Sequence, residues 1–188
     1  MSIFQSELDQ AHIELDQNID TSLAQQFKET QFRLSVVETI SWGSLTNRIR
    51  QIEGASDFFV GSATCISPLS VAYLCGVKPL LKAPQASAWA THSAQLATAF
   101  QARCRSQVCL SVSAMTSPKL IAGIAKLPVG VSILIQEKMI SKVLVLSGTL
   151  PTIDKNLSQA VLMLLKQALL NASSNSPVFS APKSNQTK

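Results

Sequence analysis

The sequence lacks any long apolar run, although its mean hydropathy is positive. No stretch approaches the roughly 20 apolar residues that a membrane-spanning helix requires, so we expect no membrane insertion. The opening residues, MSIFQSELDQ, also lack the order of a signal peptide, in which a basic region precedes an apolar one. We therefore expect a cytoplasmic protein.

Metal-binding patterns are missing too. The chain has two histidines and four cysteines, and no two cysteines form a CxxC pair. This spacing is unlike that of zinc sites, so we expect neither a bound metal nor another cofactor. The cysteines lie in apolar strand or helix contexts, which favours buried, reduced thiols. They are Cys65, Cys75, Cys104 and Cys109.

Charge is scarce and unevenly placed. Only 14% of the 188 residues are charged and 46% are hydrophobic, which is typical of one folded domain with a sizeable core. Residues 1–30 hold six acidic residues and one basic residue, a net charge of −5; the whole chain is +5, so the remainder is +10. The basic residues there are dispersed without interleaved aromatics, so we expect no nucleic-acid binding. The asymmetry singles out the amino-terminal segment.

Residues 2–17 have the pattern of an amphipathic helix, with apolar side chains three or four positions apart and acidic residues between them. This pattern does not identify what the apolar face contacts: the helix either packs on its own domain or binds another protein. The candidate partner-binding residues are Phe4, Leu8 and Leu15. Asp20-Thr21-Ser22 then predicts the N-cap of a second helix, Leu23 to Glu29.

From Arg33 onwards the pattern alternates between strands and helices. Apolar runs with β-branched residues predict mostly buried strands, and helices between them give a three-layer α/β/α domain with a mixed sheet. The predicted strands are 33–39, 58–66, 108–114, 129–136 and 142–147. The predicted helices are 45–52, a short piece after Pro68, 86–103 and 155–170. We expect an extension over 1–20, one domain over 21–170 and a polar, disordered tail over 171–188.

The stretch VVETISWGS, from Val36 to Ser44, joins the end of a strand to a helix, which is where α/β proteins place their chemistry. Its core, Val37 to Gly43, is in register with the A-E-S-C-T-G-G that opens the C-terminal domain of the CinA (competence/damage-inducible) family. GASDFFVGSATCISPLSV, residues 54–71, is similar to the family's G-S-S-A-Y-F-x-G-G-V-V-x-Y-S-N-E-A-K. Residues 110–118 are similar to its A-V-T-G-I-A-G-P. The chain from Arg33 to about Leu170 thus resembles these nicotinamide-mononucleotide amidases.

The resemblance implies an active site that this chain has largely lost. The family's nucleophilic serine falls on Thr39, its tyrosine and lysine on Ile66 and Val71, and an earlier tyrosine on Phe58. Three glycine positions hold other residues, namely Trp42, Ala114 and Ser117. The positions that persist are Glu38, Ser41, Gly43, Gly61 and Pro118. Because base, nucleophile and backbone cradle are lost together, we expect no catalysis.

For the remaining site we expect a structural role. Glu38 should be a buried carboxylate whose neighbours satisfy it, with Thr39 or Ser41 capping the next helix. Trp42 should be buried in the former substrate volume. Together with Ser41 and Gly43 these side chains would form a vestigial pocket, which could still attract an anion to the helix N-terminus.

Two functions are compatible with these patterns. The first is a non-catalytic interaction subunit or adaptor of a larger bacterial assembly, such as a secretion-system chaperone or coupling complex, in which the protein itself could be oligomeric. The second is a divergent amidase or nucleotide-binding enzyme that acts on nicotinamide mononucleotide or a similar small molecule through Thr39 and Glu38. That enzyme would need a base from elsewhere, for which His92, Lys78 and Lys82 are candidates, although His92 is expected on the surface.

Overall fold

Five strands form one sheet in the order β2-β1-β3-β4-β5 in a computed structural model that describes residues 18–82, 85–114 and 125–174. The strands are β1 (Leu34–Glu38), β2 (Phe59–Thr64), β3 (Val108–Ser113), β4 (Ala125–Ile135) and β5 (Lys138–Gly148). The helices are α1 (Ile19–Thr30), α2 (Ser44–Arg50), α3 (Ala55–Phe58), α4 (Pro68–Ser70, continuing as a π-helical turn over Val71–Cys75), α5 (Ser87–Cys104) and α6 (Leu150–Ser174). The predicted helix over 2–17, with Phe4, Leu8 and Leu15, lies outside the described residues, as do Ser117 and Pro118.

The sheet is mixed, as the sequence predicts. Strand β1 pairs in parallel with β2 and β3, whereas β3, β4 and β5 pair antiparallel. All residues of β1 and β3 are buried, since these strands lie inside the sheet with helices on both faces. The expected double coverage is wrong for the edge strands β2 and β5, whose residues are mostly exposed or half-buried.

Helices cover both faces of the sheet, which confirms the three-layer α/β/α architecture. Helices α1, α2, α3 and α6 pack their apolar side chains on one face, and α5 packs with the π-helical turn on the other. Helix α5 approaches β4 so closely that a Cβ added to Gly130 would lie 2.1 Å from the backbone of Trp89. Only glycine allows this contact, and the contact sets the position of α5 beside the carboxyl ends of β1 and β3.

The elements predicted within the described residues are present, but several boundaries differ. Strands β4 and β5 each begin four residues before their predicted starts, because their antiparallel pairing continues to the edge of the sheet. Helix α1 begins at Ile19, and its N-cap Asn18 makes no side-chain cap bond. The predicted cap residue Asp20 instead lies inside the helix and forms an ion pair with Arg48, 2.6 Å between Oδ2 and Nη1. Helix α6 spans Leu150–Ser174, beyond both of its predicted ends.

Candidate functional site

Glu38, the last residue of β1, is a fully buried carboxylate surrounded by donors. One oxygen accepts the Ser41 hydroxyl, and the other accepts the Thr46 hydroxyl. That second oxygen also accepts the Thr46 backbone N–H and the Thr64 hydroxyl, each at 3.3 Å. The expectation of a buried, satisfied carboxylate is confirmed. A carboxylate with this many donors serves as a structural acceptor that ties β1, β2 and α2 together.

The expected side-chain cap of α2 is wrong. The N-cap is Gly43, with a φ of 91°, a conformation that favours glycine, and it makes no side-chain cap bond. Neither Thr39 nor Ser41 caps the helix, since their hydroxyls bond Ala114 and Glu38 instead. The carboxylate of Glu38 accepts the N–H of Thr46, and in this way the strand supplies the cap.

The expected burial of Trp42 is also wrong, because its side chain is 68% exposed. Its φ of 49° lies in the left-handed region, so Trp42 and Gly43 together form the turn between β1 and α2. Ile40 supplies the buried side chain of this turn and packs in the core beneath α2. The ring of Trp42 is therefore a surface feature and does not fill a former substrate volume.

Thr39 lies on the opposite face of the sheet from Glu38, because successive strand residues alternate between faces. Its hydroxyl donates to the Ala114 carbonyl at 3.4 Å and accepts the Ala114 N–H at 3.2 Å. Thr39 lines a pocket of about 60 Å³ together with Val71, His92 and Ser113. Compared with ligand sites of roughly 300–1,000 Å³, this pocket has room for a few water molecules only.

His92 lies in this pocket and is buried, so its expected surface position is wrong. Its Nδ1 is 2.7 Å from Ser113 Oγ, and its Nε2 is 3.2 Å from the Lys78 carbonyl oxygen. Because a carbonyl can only accept, Nε2 carries the proton and Nδ1 accepts the Ser113 hydroxyl. Desolvation by burial lowers the pKa of His92, partly offset by its bond to Lys78, so the ring is neutral near pH 7.

The sequence contained a signal for the buried position of His92. Trp89, Leu96 and Phe100 form the buried stripe of α5, and His92 follows Trp89 by three residues, on the same side. This side of α5 also carries small and hydroxyl-bearing residues, which is why the sequence favours a surface position for His92. Ser93 is itself buried and donates to the Ser111 carbonyl at 2.9 Å. Small polar residues can therefore belong to a helix face that packs on a sheet.

The other positions implied by the family resemblance are scattered. Phe58 stacks on Phe27 in the core of the opposite face, with ring centroids 4.3 Å apart. Ile66 is exposed, and so are the side chains of Lys78 and Lys82. The structure thus brings Thr39 and Val71 together with His92, while it separates them from the remaining candidates.

A larger groove of about 410 Å³ lies between α2 and α6, where the helix N-terminus was expected to attract an anion. Arg48 and Lys155 line it, but so does Asp154. The pKa of Asp154 is raised by burial, and the charge of Glu38 adds to this, while a hydrogen bond from Ser44 opposes it. A carboxyl group in this position disfavours a bound anion.

Within the described ranges, no three or more His, Cys, Asp or Glu side chains cluster closely enough to hold a metal ion. No helix in the same ranges is long and apolar enough to cross a membrane. All four cysteines are free; the predicted burial is confirmed for Cys65, Cys75 and Cys109 and wrong for Cys104, which is half-buried.

Comparison with known proteins gives a consistent relationship. The family model of the CinA C-terminal domain matches residues 16–169. A competence or damage-inducible protein from Enterobacter asburiae has a TM-score of 0.67 at 16% identity, covering 80% of this chain and 96% of that one. A CinA superfamily protein from Escherichia coli has a TM-score of 0.68 at 16% identity, covering 89% and 99%. A search of curated proteins finds no match.

A third similar structure, the competence damage-inducible protein A from Klebsiella pneumoniae, has a TM-score of 0.70 at 14% identity and covers 81% of this chain and 96% of that chain. At such identities the structural likeness establishes the fold, while the family model covers most of the sequence. The protein is a divergent member of the CinA C-terminal domain family.

Proposed function

We propose that this protein is a non-catalytic member of its family that acts as an interaction subunit or adaptor in a larger bacterial assembly, with a secretion complex as one example. The observation that carries the proposal is the size and lining of the pocket at Thr39. Its volume of about 60 Å³ is far below that of a mononucleotide site.

The side chains around Thr39 support the same conclusion. Val71, where the family resemblance implies a lysine, is buried in the apolar cluster beneath α5 and cannot transfer a proton. The hydroxyl of Thr39 is held by the backbone of Ala114 on both its donor and acceptor sides. Glu38 is on the other face of the sheet, where its donors already engage both oxygens.

An amidase assay tests the proposal. Purified full-length protein is incubated with nicotinamide mononucleotide, and release of nicotinate mononucleotide is followed by chromatography beside an active family member. We expect no turnover from the wild type or from Thr39→Ala. Turnover that disappears in Thr39→Ala, and persists in the matched control Thr98→Ala on the exposed side of α5, would overturn the non-catalytic assignment.

One observation favours a second candidate, a divergent hydrolase. Ser113 donates to a neutral His92 whose other nitrogen is oriented by the Lys78 carbonyl, which is the arrangement of a nucleophile, its base and an orienting group. Thr39 lines the same pocket. The pocket restricts such an enzyme to a very small acyl or amide substrate.

Hydrolysis of p-nitrophenyl acetate separates the two candidates. A hydrolase predicts turnover that is lost in both Ser113→Ala and His92→Gln, and retained in the control Ser141→Ala, whose hydroxyl bonds Ser132 in the hairpin. Our proposal predicts the same slow background rate from all four proteins.

A further inference from the structure

Several large apolar side chains are exposed at one end of the molecule. Tyr73 is 77% exposed, Trp42 68% and Leu69 66%. Exposed apolar residues are ordinary when isolated, but a contiguous group marks an interaction surface. The group, which we name the docking face, consists of Trp42, Ile66, Leu69, Tyr73, Leu74 and Leu81.

The members of the docking face belong to neighbouring elements of the structure. The turn of Trp42 lies beside β2, where a Cβ on Gly43 would be 3.7 Å from the Thr64 hydroxyl. Ile66 follows two residues after Thr64, and α4 with its π-helical turn carries the next three members. Leu81 lines the same small pocket as Pro68, the first residue of α4.

The chain segment that carries most of the docking face has charge of one sign. Between Asp57 and Glu137 the sequence contains no acidic residue, yet it contains six basic ones: Lys78, Lys82, Arg103, Arg105, Lys119 and Lys126. Lys78 and Lys82 are exposed on the segment that carries Leu81. The guanidinium of Arg103 reaches the end of the π-helical turn, where a Cβ on Gly76 would be 2.8 Å from its Nη2. The flank of the docking face is therefore basic.

We propose that the docking face binds an acidic amphipathic helix of a partner protein. Leu69 and Tyr73 are four residues apart and form a ridge, against which a helix can place apolar residues at spacings of three and four. Carboxylates on the edge of that helix would face Lys78 and Lys82, which sets its orientation and speeds its association. The proposal rests on the interaction function and names the surface and the class of partner.

Site-specific photo-crosslinking tests the occupant. A p-benzoylphenylalanine is placed at Tyr73 in the full-length protein in its native cell, and at Val145 as a matched control. Val145 is 58% exposed on β5, the opposite edge of the sheet. We expect Tyr73, and not Val145, to crosslink to a peptide of another protein that has net negative charge and apolar residues at helical spacing.

Three crosslinking results would overturn the proposal: capture of this chain's own acidic segment 1–17, capture of a second copy, or capture of a peptide that is neither acidic nor amphipathic. Equal or no crosslinking at the two positions would do so as well. A partner captured only through Val145 would refute the docking face and leave the interaction function intact, whereas amidase turnover would refute that function itself.

The captured sequence is then synthesised as a fluorescent peptide and titrated with purified full-length protein. We expect Lys78→Glu with Lys82→Glu to weaken binding at least ten-fold, and the matched pair Lys138→Glu with Lys142→Glu on β5 to leave it unchanged. Circular dichroism checks the fold, and Lys78→Gln with Lys82→Gln replaces the first pair if that pair is unfolded. Equal affinity of both pairs would contradict a role for the basic flank.

Discussion

Glu38 and Thr39 are adjacent in sequence, yet the sheet places them in two unlike environments. Glu38 faces α2, where its carboxylate accepts hydrogen bonds from three other residues. Thr39 faces α5, beside a small pocket and a Ser–His hydrogen bond. The first environment has no capacity left for a ligand, whereas the second still contains a neutral imidazole that can accept a proton.

The two environments use their polar groups differently. On the Glu38 side, polar groups persist but bond one another, so they contribute to stability. On the Thr39 side, buried apolar residues such as Val71 pack beneath α5, and only a few polar side chains remain around the small pocket. Substitutions on the Glu38 side should therefore affect stability, and substitutions on the Thr39 side should affect packing and pH response.

The largest effect is expected for Glu38→Ala. This substitution leaves the buried Ser41 hydroxyl and the half-buried Thr46 and Thr64 hydroxyls without their acceptor. A stranded buried donor costs about 1–3 kcal/mol and a partly solvated one less, so we expect a loss of about 3 kcal/mol in total. Urea denaturation measures it. The exposed Glu53→Ala is the matched control and should change stability by less than about 0.5 kcal/mol. Equal midpoints for the two variants would refute the structural role of Glu38.

Gly130→Ala should be the next most disruptive substitution, and it acts on the Thr39 side. The new methyl group would overlap the backbone of Trp89 and displace α5, which carries His92. Overpacking of this kind typically costs about 1–3 kcal/mol. Gly61→Ala in β2 is the control, since a Cβ there meets no atom within 4 Å. Thermal melts of both variants test this, and a stable Gly130→Ala protein would contradict the close approach of α5.

His92 should give the protein a pH response. Its pKa is lowered in the folded state by burial, so between that value and the ordinary value of about 6.5 the unfolded chain binds more protons. The contribution of His92 to stability is therefore complete above about pH 6.5 and is lost as the pH falls through the folded pKa.

In His92→Gln this slope should flatten, with a loss of about 1 kcal/mol at neutral pH from the bond to Ser113. Denaturant midpoints measured from pH 7.5 down to 5 compare the two proteins. Parallel curves would show that His92 does not titrate in this window.

Trp42→Gly should have the smallest effect. Its side chain is exposed and its φ is positive, so glycine removes little packing and relieves backbone strain, and we expect a change below about 1 kcal/mol. In a Trp89→Phe background, acrylamide should quench the Trp42 fluorescence readily. Protection of Trp42 from the quencher would mean that its ring is buried.

The elements of the fold could be predicted because their apolar runs have the lengths and residue types of buried strands. The satisfied Glu38 was also predictable, since hydroxyl residues surround it along the chain. The exposure of Trp42 could not be predicted. The size and apolar character of its ring favour burial, but its left-handed backbone conformation places the side chain on the surface. The hydrogen-bond partners of His92 could not be predicted either, since tertiary packing brings Ser113 and the Lys78 carbonyl to it.

The two environments also differ in how much of the chain must be synthesised before they can form. Every hydrogen-bond partner of the Glu38 carboxylate lies between residues 41 and 64, so this network needs only β1, α2 and β2. Thr39 must meet Ala114, 75 residues later, through the pairing of β1 with β3. Closing a loop that long costs about 1 kcal/mol more than closing the 26-residue separation of Glu38 and Thr64. On a ribosome, where amino-terminal segments emerge first, the Glu38 network can form while α5 and β3 are still being made.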